Sequence, residues 1–192
     1  RPLPRVDITI DEDGEVLVRG PSVSPGYWRD DAATAASRDE DGWLRTGDLG
    51  QFDREGFLHI TGRKKELIVT AGGKNVAPAP VEAALEGIGV VRRAIVFGDR
   101  RPYIVALLEL EPDLAEAFAD EHGLATDDLP HHPGFVEALD AAVEAVNTQL
   151  AGNAVVRRWA VIDGLEHTPG ALTATGKLRR GAIAEIEAAA LA

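Results

Sequence analysis

The sequence predicts an α+β fold: a small β-rich segment over residues 1–62, followed by a compact domain over residues 63–192 in which a small β-sheet is flanked by helices. Three observations carry that prediction. Before Thr61 the chain is a series of short apolar runs broken by turn residues. After Arg63 strand-length apolar runs alternate with segments of helical spacing. The 45 % hydrophobic content over 192 residues is ordinary for one or two globular domains able to bury cores.

The elements follow in order. Val6 to Ile10 and Glu15 to Arg19 flank Asp11-Glu12-Asp13-Gly14, a hairpin signature. Asp30 to Ser37 reads as a short surface helix. Leu49 to Phe52 and Phe57 to Thr61 form a second hairpin around Asp53-Arg54-Glu55-Gly56. Leu67 to Val69 is a strand, and a helix starts near Pro80, with Val81, Leu85 and Ile88 on one face. Strands are expected over Val90 to Phe97 and Tyr103 to Leu110. Pro112 opens a helix to about His122, and Pro133 opens another to Leu150, with Phe135, Leu139, Val143, Val146 and Leu150 as its core-facing stripe. Val155 to Ile162 returns as a strand, a Gly/Thr/Pro loop covers Asp163 to Gly176, and a last helix begins near Leu178. No internal repeat is expected.

Composition excludes several function classes. With 32 acidic against 20 basic side chains the net charge is −12, which disfavours general attraction to nucleic acid or anionic lipid, so a phosphate-bearing ligand needs a local basic patch. The absence of cysteine rules out disulfides, thiolate metal sites and a cysteine nucleophile. The longest apolar run, Tyr103 to Leu108, is far short of the roughly 20 residues of a membrane-spanning helix. Cytoplasm is compatible with this composition. The lack of any methionine suggests a portion of a longer protein.

Four local features carry chemistry, each with a plainer reading beside it. Thr46-Gly47-Asp48 alone is a turn. Arg63 offers a planar guanidinium suited to hydroxyls and phosphate, or is an exposed cation on a basic turn with Lys64 and Lys65. Gly72-Gly73-Lys74 is a hairpin turn, or a place where missing Cβ atoms let a ligand approach the backbone. Lys177 follows a flexible Gly/Thr loop able to carry an ammonium into an active site, or is a surface lysine. The Gly170 to Lys177 stretch is not a phosphate-binding P-loop, since Leu178 stands where Ser or Thr is required. His131 and His132, near Asp127 and Asp128, read as a solvated loop, and no metal site is assigned.

Trp43 to Gly50 (WLRTGDLG), Gly62 to Pro78 (GRKKELIVTAGGKNVAP) and Thr173 to Arg180 (TATGKLRR) together resemble the adenylate-forming, or AMP-binding, enzymes. That family includes acyl-CoA ligases, firefly luciferase and peptide-synthetase adenylation domains, and the wording is most similar to long-chain fatty acyl-CoA ligases. The resemblance covers nearly the whole chain but only the last portion of such an enzyme. It implies that residues 1–62 are the β-rich end of a large adenylation domain and residues 63–192 its mobile C-terminal domain. By position, it implies ribose contacts for Asp48 and Arg63, a hinge at Lys65, a pantetheine tunnel at Gly72 and Gly73 with Lys74 near CoA phosphates, and a catalytic Lys177 contacting the acyl carboxylate and α-phosphate. ATP, CoA and fatty acid are then the substrates, with Mg2+ accompanying ATP and finding no ligands here. The partner is the remainder of the large domain, without which the piece is expected to be inactive. Transfer to a carrier protein's phosphopantetheine, or a non-catalytic docking or nucleotide-binding module, are the alternatives. The location implied is cytoplasmic, with peripheral membrane contact left open.

Overall fold

Asp/Gly turns fold the first strands back on one another. In the computed structural model, which describes residues 2–162 and 164–190, β1 (Asp7–Ile10) pairs antiparallel with β2 (Glu15–Arg19), and β3 (Leu44–Phe52) and β4 (Leu58–Arg63) extend the sheet in the order β1-β2-β3-β4. Two reversals close alike: the Asp11 N–H donates to the Glu15 carbonyl at 2.8 Å, and the Asp53 N–H to the Phe57 carbonyl at 2.9 Å. Gly14 and Gly56 sit at φ +86° and +82°, the left-handed region that glycine enters without Cβ strain. Helix α1 (Asp31–Ala36) is capped by Asp30, whose Oδ1 accepts from the Ala33 N–H at 2.8 Å, and it buries no residue, as a surface helix should. One difference from the sequence reading matters. Strand β3 begins at Leu44 rather than Leu49, so Thr46-Gly47-Asp48 lies inside a strand and is not a free turn.

The chain divides into two compact units, Arg1–Leu67 and Ile68–Ala192. The division falls after residue 67, whereas the change in sequence pattern put it after residue 62. The 3-10 turn Lys64–Glu66 belongs to the first unit because Lys64 is tied into the first hairpin, its ammonium 2.5 Å from Asp13 and 2.9 Å from Glu15.

The second unit opens with a two-stranded ribbon, β5 (Ile68–Val69) and β6 (Asn75–Val76), around the Gly72-Gly73 turn. Helix α2 (Pro78–Glu86) starts at Pro78 rather than Pro80, because a proline in the first helical turn loses no needed hydrogen bond. A three-stranded sheet follows, in which β8 (Ile104–Leu110) is central, antiparallel to β7 (Val91–Phe97) and parallel to β9 (Val156–Ile162). A parallel pair needs a long crossover, and α3 (Pro112–His122), a 3-10 segment (Thr126–His131) and α4 (Pro133–Asn147) provide it. Helix α5 (Arg180–Ala190) closes the unit.

Both faces of β8 are covered, which is why Ile104 to Leu108 are continuously apolar and each 0 % exposed. On one face Ala94, Val96, Ala106 and Leu108 meet Val81 and Leu85 of α2 and Phe135, Leu139 and Val143 of α4. On the other, Ile95, Val105 and Leu107 meet Leu165, Ala171 and Ile183. The apolar stripe read on α4 is therefore core, although the helix stops at Asn147, whose amide turns inward to exchange two 2.9 Å hydrogen bonds with the backbone of Val156. His131 and His132 stand at a 3-10 turn in place of the expected loop, with the His132 ring edge-on to Phe118. Among the described residues no helix is long and apolar enough to cross a membrane.

Candidate functional site

In the first unit the site is made by an irregular strand. Pairing of β2 with β3 matches Glu15 to Leu49 and Leu17 to Arg45, so Thr46, Gly47 and Asp48 bulge out of register. A bulge bends a strand and re-aims its side chains. Gly47 takes φ +72°, and its N–H donates to Glu15 Oε1 at 2.9 Å. The Thr46 hydroxyl donates to the Val16 carbonyl at 2.7 Å and accepts from the Asp48 N–H at 3.1 Å. Asp48 is thereby set opposite Arg63 of β4, with Arg63 Nε 2.8 Å from Asp48 Oδ1 and the side chains 61 % and 29 % exposed.

Beneath this pair lies a compensated charge cluster. Glu15 is almost wholly buried, which pushes its carboxyl up, but hydrogen bonds from Lys64, the Gly47 N–H and Arg45 outweigh burial and hold it below the usual carboxylate range. The Lys64 ammonium likewise lowers Asp13. Asp11, Asp13 and Glu15 approach one another closely enough to suggest a cation site, yet Lys64 and Arg45 already neutralise them. Of the two adjacent lysines, Lys64 is thus a structural fixture, and Lys65 follows it exposed in the 3-10 turn.

In the second unit two turns share one construction. In Thr70-Ala71-Gly72-Gly73-Lys74 the Thr70 N–H donates to the Lys74 carbonyl at 3.0 Å, the Gly73 N–H to the Thr70 carbonyl at 2.8 Å, and the Lys74 N–H to the Thr70 hydroxyl at 3.2 Å. In Thr173-Ala174-Thr175-Gly176-Lys177 the same three bonds measure 2.8, 2.9 and 3.0 Å. Gly73 and Gly176 occupy the same left-handed conformation, at φ +69° and +76°. Lys177 therefore sits on a closed turn, not on the flexible loop expected. Its stem is the Leu172–Leu178 bridge, and both leucines pack against the second core cluster. Both lysines are exposed, and among the described residues neither is in an ion pair.

The two glycines of the first lysine turn do different work. Gly73 has the backbone that requires glycine. Gly72 has an ordinary φ, and a Cβ built there meets nothing within 4 Å, so the second unit leaves its space open.

Sequence reasoning missed the groups that brace these turns. Glu82 of α2 and Arg180 form a two-pronged ion pair, both oxygens 2.8 Å from Nη2. The pair grips the outer edge of β7, which no strand among the described residues covers: the Val96 N–H donates to Glu82 at 3.0 Å, and Arg180 donates to the Val96 carbonyl at 3.3 Å. Glu86, one turn along α2, accepts from the Ala94 N–H at 3.2 Å. Burial pushes the Glu82 carboxyl up, against the pull of Arg180. The Thr70 and Thr173 hydroxyls were also missed, although the repeated Thr-Ala-x-Gly-Lys wording was a visible signal.

The chain is 42 % identical over 191 residues to the long-chain-fatty-acid–CoA ligase FadD15 of Mycobacterium tuberculosis, covering 96 % of this chain and 32 % of that protein. It spans about a third of the length of that relative. Among solved structures, the amide bond synthetase McbA from Marinactinospora thermotolerans is 31 % identical with a TM-score of 0.69, over 97 % of this chain and 35 % of that one. O-succinylbenzoate coenzyme A synthetase from Bacillus subtilis, in complex with AMP, is 29 % identical with a TM-score of 0.67, over 94 % of this chain and 34 % of that one. The family model described as the AMP-binding enzyme C-terminal domain matches residues 65–188. That match takes in the braced sheet and both lysine turns, and with it the chain belongs to the AMP-binding enzyme C-terminal domain family.

Proposed function

We propose that this chain forms the C-terminal part of an ATP-dependent fatty acyl-CoA ligase. A carboxylate oxygen attacks the α-phosphorus of ATP and pyrophosphate leaves. The CoA thiol then attacks the acyl carbonyl, a thioester forms, and AMP leaves. Mg2+ enters with ATP as part of that substrate, and the reaction takes place in the cytoplasm.

The observation that carries this reading is the pair of matched turns, each presenting an exposed lysine from one compact unit. Two half-reactions that each handle phosphate or carboxylate oxygens call for two such cations. Lys177 serves the first, countering negative charge as pyrophosphate departs. Gly72 and Lys74 serve the second, where open space above the Gly72 backbone admits pantetheine and Lys74 meets a CoA phosphate. Asp48 accepts from the ribose hydroxyls while Arg63, bonded through Nε, holds the carboxylate in place and keeps its remaining N–H groups for the nucleotide. Lys65, next to the anchored Lys64, is the pivot that exchanges one lysine turn for the other.

The test is pyrophosphate release and thioester formation by a ligase containing this chain, compared with its Lys177→Ala variant. Pyrophosphate release is expected to fall by roughly a hundredfold or more, while thioester formation from supplied acyl-AMP survives. Equal loss of both steps, or of neither, overturns the assignment. The 192-residue chain alone is expected to release no pyrophosphate. Competition between CoA and a carrier-protein thiol decides the acceptor.

A further inference from the structure

The first unit uses the turn of the lysine segments with a different first residue. Asp39-Glu40-Asp41-Gly42-Trp43 and Asp53-Arg54-Glu55-Gly56-Phe57 close through the same two backbone bonds, and their glycines lie at φ +79° and +82°. There the cap is a carboxylate: Asp39 Oδ1 accepts from the Trp43 N–H and Asp53 Oδ1 from the Phe57 N–H, each at 2.9 Å. Threonine makes the same bond with its hydroxyl in the two lysine turns. Aspartate is therefore a competent first residue of this turn, but it brings a charge. At Asp53 the spare oxygen, Oδ2, also engages a nearby side chain, lying 2.8 Å from His59 Nε2. A carboxylate at the first position of a lysine turn would stand beside the backbone of the lysine it presents, within reach of its long side chain.

We propose that Thr70 and Thr173 are positioning residues that close the two lysine turns with an uncharged cap, leaving the ammoniums of Lys74 and Lys177 uncompensated for an anionic oxygen of the substrate. This rests on the reading of the chain as part of an acyl-activating ligase. Thr70 is 8 % exposed, so a charge placed there disturbs the fold, whereas Thr173 is exposed and gives a clean test.

The experiment compares Thr173→Ser, Thr173→Asn and Thr173→Asp in a ligase containing this chain. Amide hydrogen exchange at Lys177 reports whether the turn is closed. All three substitutes supply an oxygen to the Lys177 N–H, and all three are expected to keep it protected. Serine and asparagine are expected to keep pyrophosphate release near the parent rate. Aspartate, which matches asparagine in shape, is expected to lower it roughly fivefold at low ionic strength, the scale of an exposed ion pair. That deficit should shrink as salt screens the carboxylate. Thioester formation from supplied acyl-AMP should be unaffected.

An aspartate variant as active as the asparagine variant, with the turn intact, overturns the proposal. So does an asparagine variant as impaired as the aspartate one, since charge would then be irrelevant. If Lys177→Ala leaves pyrophosphate release untouched, it is the ligase assignment of Lys177 that fails, and the exchange data still report whether Thr173 closes the turn.

Discussion

At the scale of single residues, the two neighbouring glycines of the first lysine turn are separable by experiment. Gly73→Ala places a Cβ in the left-handed region and is expected to destabilise the second unit by about 1 kcal/mol. A Cβ at Gly72 meets nothing within 4 Å, so Gly72→Trp should leave the denaturation midpoint of the isolated chain unchanged. In a ligase containing the chain, Gly72→Trp should remove thioester formation while sparing pyrophosphate release. A Gly72 variant that keeps full thioester formation would show that no pantetheine passes there. The residues proposed to bear chemistry stand out in the sequence because their types are unusual in their settings: a guanidinium beside two ammoniums, a twin glycine, a lysine after Gly/Thr wording. Their supports were not. A bulge at Thr46 to Asp48 depends on which residues of β2 lie across the sheet, and no local pattern encodes that register.

At the scale of elements, the Glu82–Arg180 pair links α2, the edge of β7 and the start of α5, and so fixes the far end of the turn that carries Lys177. Burial already pushes the Glu82 carboxyl up with its cation in place. Removing the cation leaves that cost unopposed. Arg180→Met is expected to destabilise the second unit by about 2 kcal/mol, below the value for breaking a wholly buried pair because Arg180 remains 27 % exposed. Adding Glu82→Gln should recover more than half of the loss, since no charge then remains to be solvated. Additive losses in urea denaturation would mean the two side chains act independently. Helix and strand identities were legible from periodicity, and the core stripe of α4 was read correctly down to Phe135, Leu139 and Val143. The brace was invisible because its partners lie 98 positions apart in the chain, and nothing in either local sequence marks them as a pair.

At the scale of the whole molecule, the two units carry opposite electrostatic debts, and acid should separate them. In the first unit Asp13, Glu15 and Asp53 all lie below the ordinary carboxylate range, held down by Lys64, by Lys64 with the Gly47 amide against burial, and by His59. A carboxylate with a depressed folded value contributes stability that is complete above its unfolded value, about 4, and is lost as pH falls through the folded value. In the second unit Glu82 and Glu109 are pushed up by burial. Their contribution runs the other way: it is complete below about 4 and is lost as pH rises through their folded values. Glu166, lowered by its own backbone amide and by Arg92, opposes them only from an exposed position. Tryptophans report the units separately, Trp43 under Arg19 in the first and Trp159 bonded to Asp140 in the second. With Trp159→Phe as the first reporter and the double variant Trp28→Phe with Trp43→Phe as the second, so that each keeps tryptophan in one unit only, urea midpoints are compared at pH 6 and pH 3.5. The Trp43 midpoint should drop on acidification, and the Trp159 midpoint should drop less. Equal drops would mean that the lysine-bound carboxylates of the first hairpin do not set its acid stability, and that the two units unfold as one.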